Sequence, residues 1–369
     1  MKVFSKSFSI FLASAVLTGC ASINNLPKIN NVPEDASSLT SRLMPEKWTV
    51  PAPIDLPTIY WVDSFSDPIL KSLVGEAFVS NPSMLAAQYR VEAANARVDI
   101  SQSDRFPSIS ASSRVSRNEN AGPLPSSTNI SAGLSASWEY DLWGRIENGV
   151  EASRLDLQAV SADYDSARLS VAGQVSLAWF DLTEARLLSE LSNRTVETKK
   201  RALRLTQRRF EGGVTGSSDV RLARSSLANA EASQSLQMQR FSSSTRRLEI
   251  LLRRYPSAEL NASSDLPLLP ELSGAGTPDY VMKNRPDLLA AEYRLKSQGF
   301  QIEIAKKNLL PRFTLDGSGS LASGNMSDFF EIDALVASLA GGISAPVFQG
   351  GRLKANLEQQ KVLMKSQLE

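Results

Sequence analysis

The chain has 369 residues, with 40 Lys and Arg against 39 Asp and Glu and a formal charge of +1. That balance carries no electrostatic footprint for nucleic acid. The absence of histidine and the single cysteine remove the commonest general base, any intrachain disulfide and any thiolate metal cluster. No phosphate-cradling glycine loop, nucleophile elbow or paired-histidine helix is written here either, so the sequence offers no catalytic residue and no metal ligand set. An enzyme is the weakest class for this chain.

Taken in chain order, Lys2 and Lys6 precede an apolar run from Phe8 to Leu17, closed by Thr18, Gly19 and Cys20. This reads as a secretory signal over residues 1–19, too short to span a bilayer. The stretch "LTGC" resembles the lipobox of bacterial lipoproteins, which makes Cys20 the first mature residue and the attachment point for a diacylglycerol and an acyl chain. More than one chain suits the physics of anchoring, because a single acyl chain holds a protein only reversibly. Ordinary signal cleavage beside an unrelated cysteine is the alternative reading. Ala21 follows, where an aspartate would have signalled inner-membrane retention under the usual sorting rule for such lipoproteins. Residues 20–60, with Pro27, Pro33, Pro45, Pro51, Pro53 and Pro57, read as an extended tether.

The phrases "LAAQYR" (Leu85–Arg90) and "LAAEYR" (Leu289–Arg294) lie at an offset of 204 residues, 289 against 85. The same offset places Pro82 on Pro286, Val98–Ile100 on Ile302–Ile304 and Pro107 on Pro311. The shared register indicates a tandem duplication. Asn81 followed by Pro82 opens a helix with a cap and a first-turn proline, and Pro107 forbids its continuation. The first copy, 61–256, is expected to hold helices over 61–106, a β-hairpin over 107–142 and a helical hairpin over 145–255. A connector at 257–284 leads to the second copy, 285–369, with a helix at 286–310, a β-hairpin at 311–348 and the start of a long helix at 352–369.

After each closing proline the periodicity changes to strict alternation, most clearly in "TNISAGLSASWEYDLW". Ile130, Ala132, Leu134, Ala136, Trp138, Tyr140 and Leu142 fall on one face, and Asn129, Ser131, Gly133, Ser135, Ser137, Glu139 and Asp141 on the other. A strand of about 13 residues is longer than the soluble norm of about 5–6. Its alternation and aromatic end fit a tilted membrane strand, with Ile130, Leu134, Trp138, Tyr140 and Leu142 facing lipid. Pro107–Ser116 supplies a weaker partner, and Phe313–Leu321 with Leu335–Val347 supplies the second pair. A soluble sandwich hairpin is the alternative from the strands alone. Four strands cannot close a barrel, since the smallest single-chain barrels have about eight. Open edges in lipid cost several kcal/mol per group. Membrane insertion therefore demands several chains sharing one barrel.

Arg145 to Phe210 contains no proline and, as one helix, reaches about 100 Å at 1.5 Å per residue. "FEGGVTGSSDV" then supplies a turn, with Ser217 or Ser218 and Asp219 expected to cap a returning helix that stops at Pro256. Its Leu, Ala and Ser content implies a narrow apolar stripe, as in coiled coils. Arg201, Arg204, Arg208, Arg209, Arg221 and Arg224 read either as a partner-binding patch or as a solvated helix face.

Several stretches together carry a resemblance: "WVDSFSDPILKSLVGEAFVSNPSMLAAQYR", "SWEYDLWGR", "RFEGGVTGSSDVRLA", "NRPDLLAAEYRL" and "ISAPVFQGGRLKA". They resemble the TolC-like outer membrane factor family, and more closely its lipoprotein branch, the outer membrane subunits of efflux transporters. The resemblance implies an α+β membrane protein in which three chains of four antiparallel strands close one twelve-stranded outer-membrane barrel. Long coiled-coil-like helical hairpins would form the periplasmic tunnel. It implies partners too: a homotrimer, outer-membrane lipid, a periplasmic adaptor (membrane fusion) protein and an inner-membrane pump. No nucleic acid is implied, and no cofactor beyond the lipid on Cys20. Gly212, Gly213, Val214, Ser217 and Asp219 would form the periplasmic tip turn that the adaptor contacts, although the glycines would make a tight turn in any case.

The implied function is a passive conduit exporting small molecules, the energy coming from the pump. Alternatives are a conduit for type I protein secretion and a lipid-anchored periplasmic coiled-coil scaffold without a pore. One departure stands out. The second long helix begins at Arg352, and the first copy's span repeated from Pro286 would reach about position 460. About 90 residues, including the family's tunnel gate, are expected to be lacking, which makes the chain a fragment or a truncated product.

Overall fold

Pro68 and Pro82 each sit in the first turn of a helix, where a missing N–H removes no intrahelical bond. The first helix, α1 (Pro68–Ser80), is capped by the Asp67 carboxylate, which accepts from the Ile69 and Leu70 N–H groups. The second, α2 (Pro82–Ser103), is capped by the Asn81 side chain, which accepts from Ser83. A 3-10 turn, Trp61–Phe65, precedes both. This computed structural model describes residues 61–119, 122, 126–268, 274, 276–324, 329 and 335–368. The signal at 1–19, Cys20 and the tether at 20–60 lie outside them.

Downstream run β1 (Ser108–Asn118), β2 (Ser127–Tyr140), the 67-residue α3 (Arg145–Glu211) and the 35-residue α4 (Ser217–Leu251). After a connector come α5 (Pro278–Asn284), α6 (Pro286–Lys307), β3 (Arg312–Ser323), β4 (Leu335–Ser344) and α7 (Arg352–Leu368). The helices α2 and α6 are both 22 residues long and both open on proline, but Arg285 before α6 provides no side-chain cap.

Four sequence expectations are corrected. The strand holding Ile130 ends at Tyr140, so Leu142 lies in a turn, its N–H donating to the Tyr140 carbonyl. The cause is Asp141, whose carboxylate accepts from the Arg145 and Glu147 N–H groups and starts α3 there. The last strand stops at Ser344 rather than Val347, because Pro346 cannot donate to a ladder. None of Ser217, Ser218 and Asp219 caps α4: Gly216 holds the cap position without a side-chain bond, and the Ser217 hydroxyl, inside the helix, accepts from Arg221. Finally, α4 ends at Leu251, well before Pro256, because Arg253 turns left-handed (φ 58). There the Arg254 N–H donates to the Glu249 carbonyl and the Arg253 N–H to Ile250, satisfying the last carbonyls of the helix.

The first third of α3 is flanked by α2 and α6. Ser101 and Ser153 share a hydroxyl bond, and Ser297 donates to the Ala152 carbonyl. Buried Ala152, Ala159 and Ala162 let these helices approach closely. Farther along α3 the partner is α4, bridged by Gln234 to Asn193. The main core gathers where α1 and the start of α2 meet the middle of α3 and the end of α4: Leu70, Val74, Met84, Val175, Trp179, Leu182, Leu248 and Leu252. Trp179 is fully buried, and its indole N–H donates to the Asp67 carboxylate at 2.8 Å. One carboxylate thus caps α1 and satisfies a buried donor from α3.

The connector is fastened by Glu249, 3% exposed, whose carboxylate accepts from the Ala258, Glu259 and Leu260 N–H groups. Burial alone raises its pKa; the three backbone donors and the Arg246 charge outweigh that, and the net shift is downward. A carboxylate with a depressed folded-state pKa stabilises fully above its unfolded value, roughly 4.3, and loses that contribution as pH falls through the folded value. The expected result for Glu249→Gln is a lower melting temperature at pH 7, with the gap to the parent chain closing in acid. An undiminished gap below the folded-state pKa would contradict the ionised-carboxylate role.

Candidate functional site

The four strands form one antiparallel sheet in the order β1-β2-β3-β4. Directly opposed residues share a face, so the register decides what each face presents. Leu134 opposes Ala111 and Gly319, Ile130 opposes Val115, Trp138 opposes Leu315, and Tyr140 opposes Phe313. On β4, Leu335, Ala337, Leu339 and Ile343 meet Leu321, Gly319, Gly317 and Phe313. One face is therefore apolar across all four strands, save Ser113 midway along β1 and Arg117, Thr128 and Ser323 at the loop end. It is also open: Ile109 and Val115 are each 72% exposed, Leu134 59% and Leu339 76%.

The other face carries hydroxyls. Ser110 bonds Ser135, Ser318 bonds Ser338, and Ser137 donates to Asp316 at 2.6 Å. At one end of the sheet the aromatic rings collect. Trp138 packs edge-on against Tyr140 and donates to the Arg105 carbonyl, while Trp143 lies beside Phe313 and donates to the Pro311 carbonyl. Each indole N–H is satisfied by backbone, which leaves ring surface toward the medium. Of the expected lipid-facing set, Ile130, Leu134, Trp138 and Tyr140 share the apolar face, whereas Leu142, half exposed, sits in the turn beyond it.

The second feature is the turn between α3 and α4, reached through a helix of 67 residues, about 100 Å. Gly213 adopts φ 72, the Gly213 N–H donates to the Phe210 carbonyl, and the Val214 N–H donates to Arg209. This is a left-handed helix stop of the Schellman kind. Val214 is 74% exposed at its apex, and Ser217 and Asp219 begin α4 beside it. Gly212, Gly213, Val214, Ser217 and Asp219 are thus neighbours of one another and remote from the sheet. The arginines at 201, 204, 208, 209, 221 and 224 are exposed and make no ion pair among the described residues. A Cβ added at Gly213 would meet no atom within 4 Å, so Gly213→Ala isolates the dihedral cost. About 1–2 kcal/mol is expected, read as faster amide exchange confined to the turn.

Among the described residues no cluster of acidic or sulfur groups is arranged to hold a metal, and no helix is long and apolar enough to cross a membrane. The second statement says nothing of strands. Sequence reading had not anticipated the Asp67–Trp179 bond or the Glu249 clasp. The two partners of the first lie 112 residues apart.

A two-faced antiparallel sheet joined to a long helical hairpin defines the class: this is the fold of sheet-and-helix outer-membrane channels. The structure of the open state of the Neisseria gonorrhoeae MtrE outer membrane channel matches with a TM-score of 0.74 and 26% identity, covering 88% of this chain and 76% of that one. The chain belongs to the outer membrane efflux protein family, whose model matches residues 73–252 and 277–369. It is 28% identical over 303 residues to the solvent efflux pump outer membrane protein SrpC of Pseudomonas putida, covering 80% of this chain. It is 25% identical over 350 residues to the probable outer membrane lipoprotein SilC of Salmonella typhimurium, covering 93% of this chain and 74% of SilC. The chain spans 64% of the length of SrpC.

Proposed function

We propose that this chain is the outer-membrane channel subunit of a tripartite efflux system, a passive conduit for small toxic molecules. Three copies close one twelve-stranded barrel, β4 of each pairing with β1 of the next, with the apolar face toward lipid and the hydroxyl face toward the pore. Each copy contributes two tandem halves, 61–256 and 285–369, and its α3–α4 hairpin extends into the periplasm as tunnel wall. The tip turn at Gly212, Gly213, Val214, Ser217 and Asp219 meets a periplasmic adaptor, which links the conduit to an inner-membrane pump. Cys20 carries the lipid that anchors the chain to the outer membrane.

The observation that carries this reading is the register: it collects the apolar residues of both hairpins on one exposed face of a sheet whose two edge strands, β1 and β4, have no outer partner among the described residues. In water such a face and such edges invite aggregation. In lipid the face is stabilised, and the edges are satisfied only by closure. The relationship to a solvent efflux outer membrane protein and to an outer membrane lipoprotein supports the cargo and the anchor. The test is to express the chain with its N-terminal region and extract the outer membrane. Heat-resistant trimers are expected there; recovery only as a soluble monomer after Cys20→Ser would overturn the channel.

A further inference from the structure

The hydroxyl face is nearly free of charge. Among its described strand residues only Arg114, Glu139, Arg312 and Asp316 ionise. The corner next to α3 is balanced. Glu139 accepts from Arg145 at 3.1 and 2.9 Å and lies 4.0 Å from Arg312, while Asp141 caps α3 beside them. Two carboxylates there meet two guanidiniums.

Arg114 and Asp316 differ. Neither forms an ion pair among the described residues, both are exposed, and the Asp316 carboxylate accepts only from the Ser137 hydroxyl. Arg114 opposes Ser131, and Asp316 opposes Ser137. They are six residues apart along β2, about 20 Å. The interactions of exposed charges fade over about 10 Å at 0.1 M salt. At that ionic strength neither charge neutralises the other, and each acts at its own level.

We propose that Arg114 and Asp316 make the pore bipolar, with a cationic level toward the β1–β2 loop and an anionic level toward the helices. This rests on the trimeric barrel proposed above, which turns each residue into a ring of three. Every charged solute then meets one favourable and one unfavourable level. The pair cancels as a filter, suiting a conduit for mixed cargo, but leaves an asymmetric current, because ions accumulate under one polarity and deplete under the other.

The experiment is the full chain in planar bilayers under a KCl gradient, with Arg114→Gln, Asp316→Asn, both together, and the swap Arg114→Asp with Asp316→Arg. At 0.1 M the parent channel should rectify. Loss of Arg114 should shift the cation-to-anion permeability ratio about twofold toward cations, and loss of Asp316 about twofold toward anions. The double neutral variant should restore the ratio and abolish rectification; the swap should reverse its sense. All shifts should vanish at 1 M salt, where screening acts within about 3 Å. Conducting trimers whose single variants leave the ratio and rectification unchanged overturn the bipolar pore alone. A parent chain that never conducts overturns the barrel reading, and this inference with it.

Discussion

Leu134→Arg is expected to abolish outer-membrane trimers, whereas Ser135→Arg, one residue along the same strand, should leave them intact. Leu134 lies midway along β2 on the apolar face, opposed by Ala111 and Gly319, and is 59% exposed. In the proposed barrel an arginine on the lipid face near mid-membrane costs about 2–4 kcal/mol per site, and the proposed trimer carries three such sites. Ser135 points the other way, beside Ser110, where in the proposed channel a guanidinium stays in water. Neighbouring positions give opposite results because side chains alternate with period two. Trimer yield on unheated gels of outer-membrane extracts reads the contrast directly. Equal yields for the two variants would mean that the apolar face does not meet lipid.

The second large effect is expected at Trp179→Ala. Its side chain is fully buried among Leu70, Val74, Val175, Leu182 and Leu248, and removing a buried tryptophan costs about 3–5 kcal/mol. The change also strips the Asp67 carboxylate of its indole donor, so the cap of α1 loses support at the same time. Trp179→Phe keeps most of the volume but loses the hydrogen bond, and should fall between parent and alanine variant in urea midpoint. Asp67→Asn discriminates further: Oδ1 caps α1 while Oδ2 takes the indole, so a single amide oxygen keeps only one of these roles. An intermediate loss is expected, because the packing around Trp179 stays; a loss as large as that of Trp179→Ala would place the value of this junction in the carboxylate's charge and hydrogen bonds rather than in packing.

Both predictions rest on features of unequal legibility. The alternation around Leu134 is local: it reflects which residues a pleated strand turns to each side, and it stands in the letters of "TNISAGLSASWEY". Helix starts at Pro82 and Pro286 were equally readable, because proline restricts its own backbone whatever surrounds it. The glycine turn was found, yet its caps were misassigned. The sequence offered Ser217 or Ser218 with Asp219 as the cap of α4, and the chain placed Gly216 there instead. Leu142 matched the apolar period, but the Asp141 carboxylate claimed two N–H groups of α3 and ended the strand first. At Leu142 a competing local hydrogen bond overrode the pattern.

The sequence by itself determined the parts: capped and proline-started helices, long alternating strands, a hairpin of about 100 Å and a repeated order of elements. These follow from backbone sterics and side-chain periodicity, which act over a few residues. Only the tertiary structure decided that β2 and β3 pair, which sets the two hairpins side by side and leaves β1 and β4 as the edges. It alone joined Asp67 to Trp179 and drew the connector onto Glu249. Such pairings bring together residues far apart in the chain, and their register is fixed by burial and hydrogen bonding across elements, which no local pattern encodes.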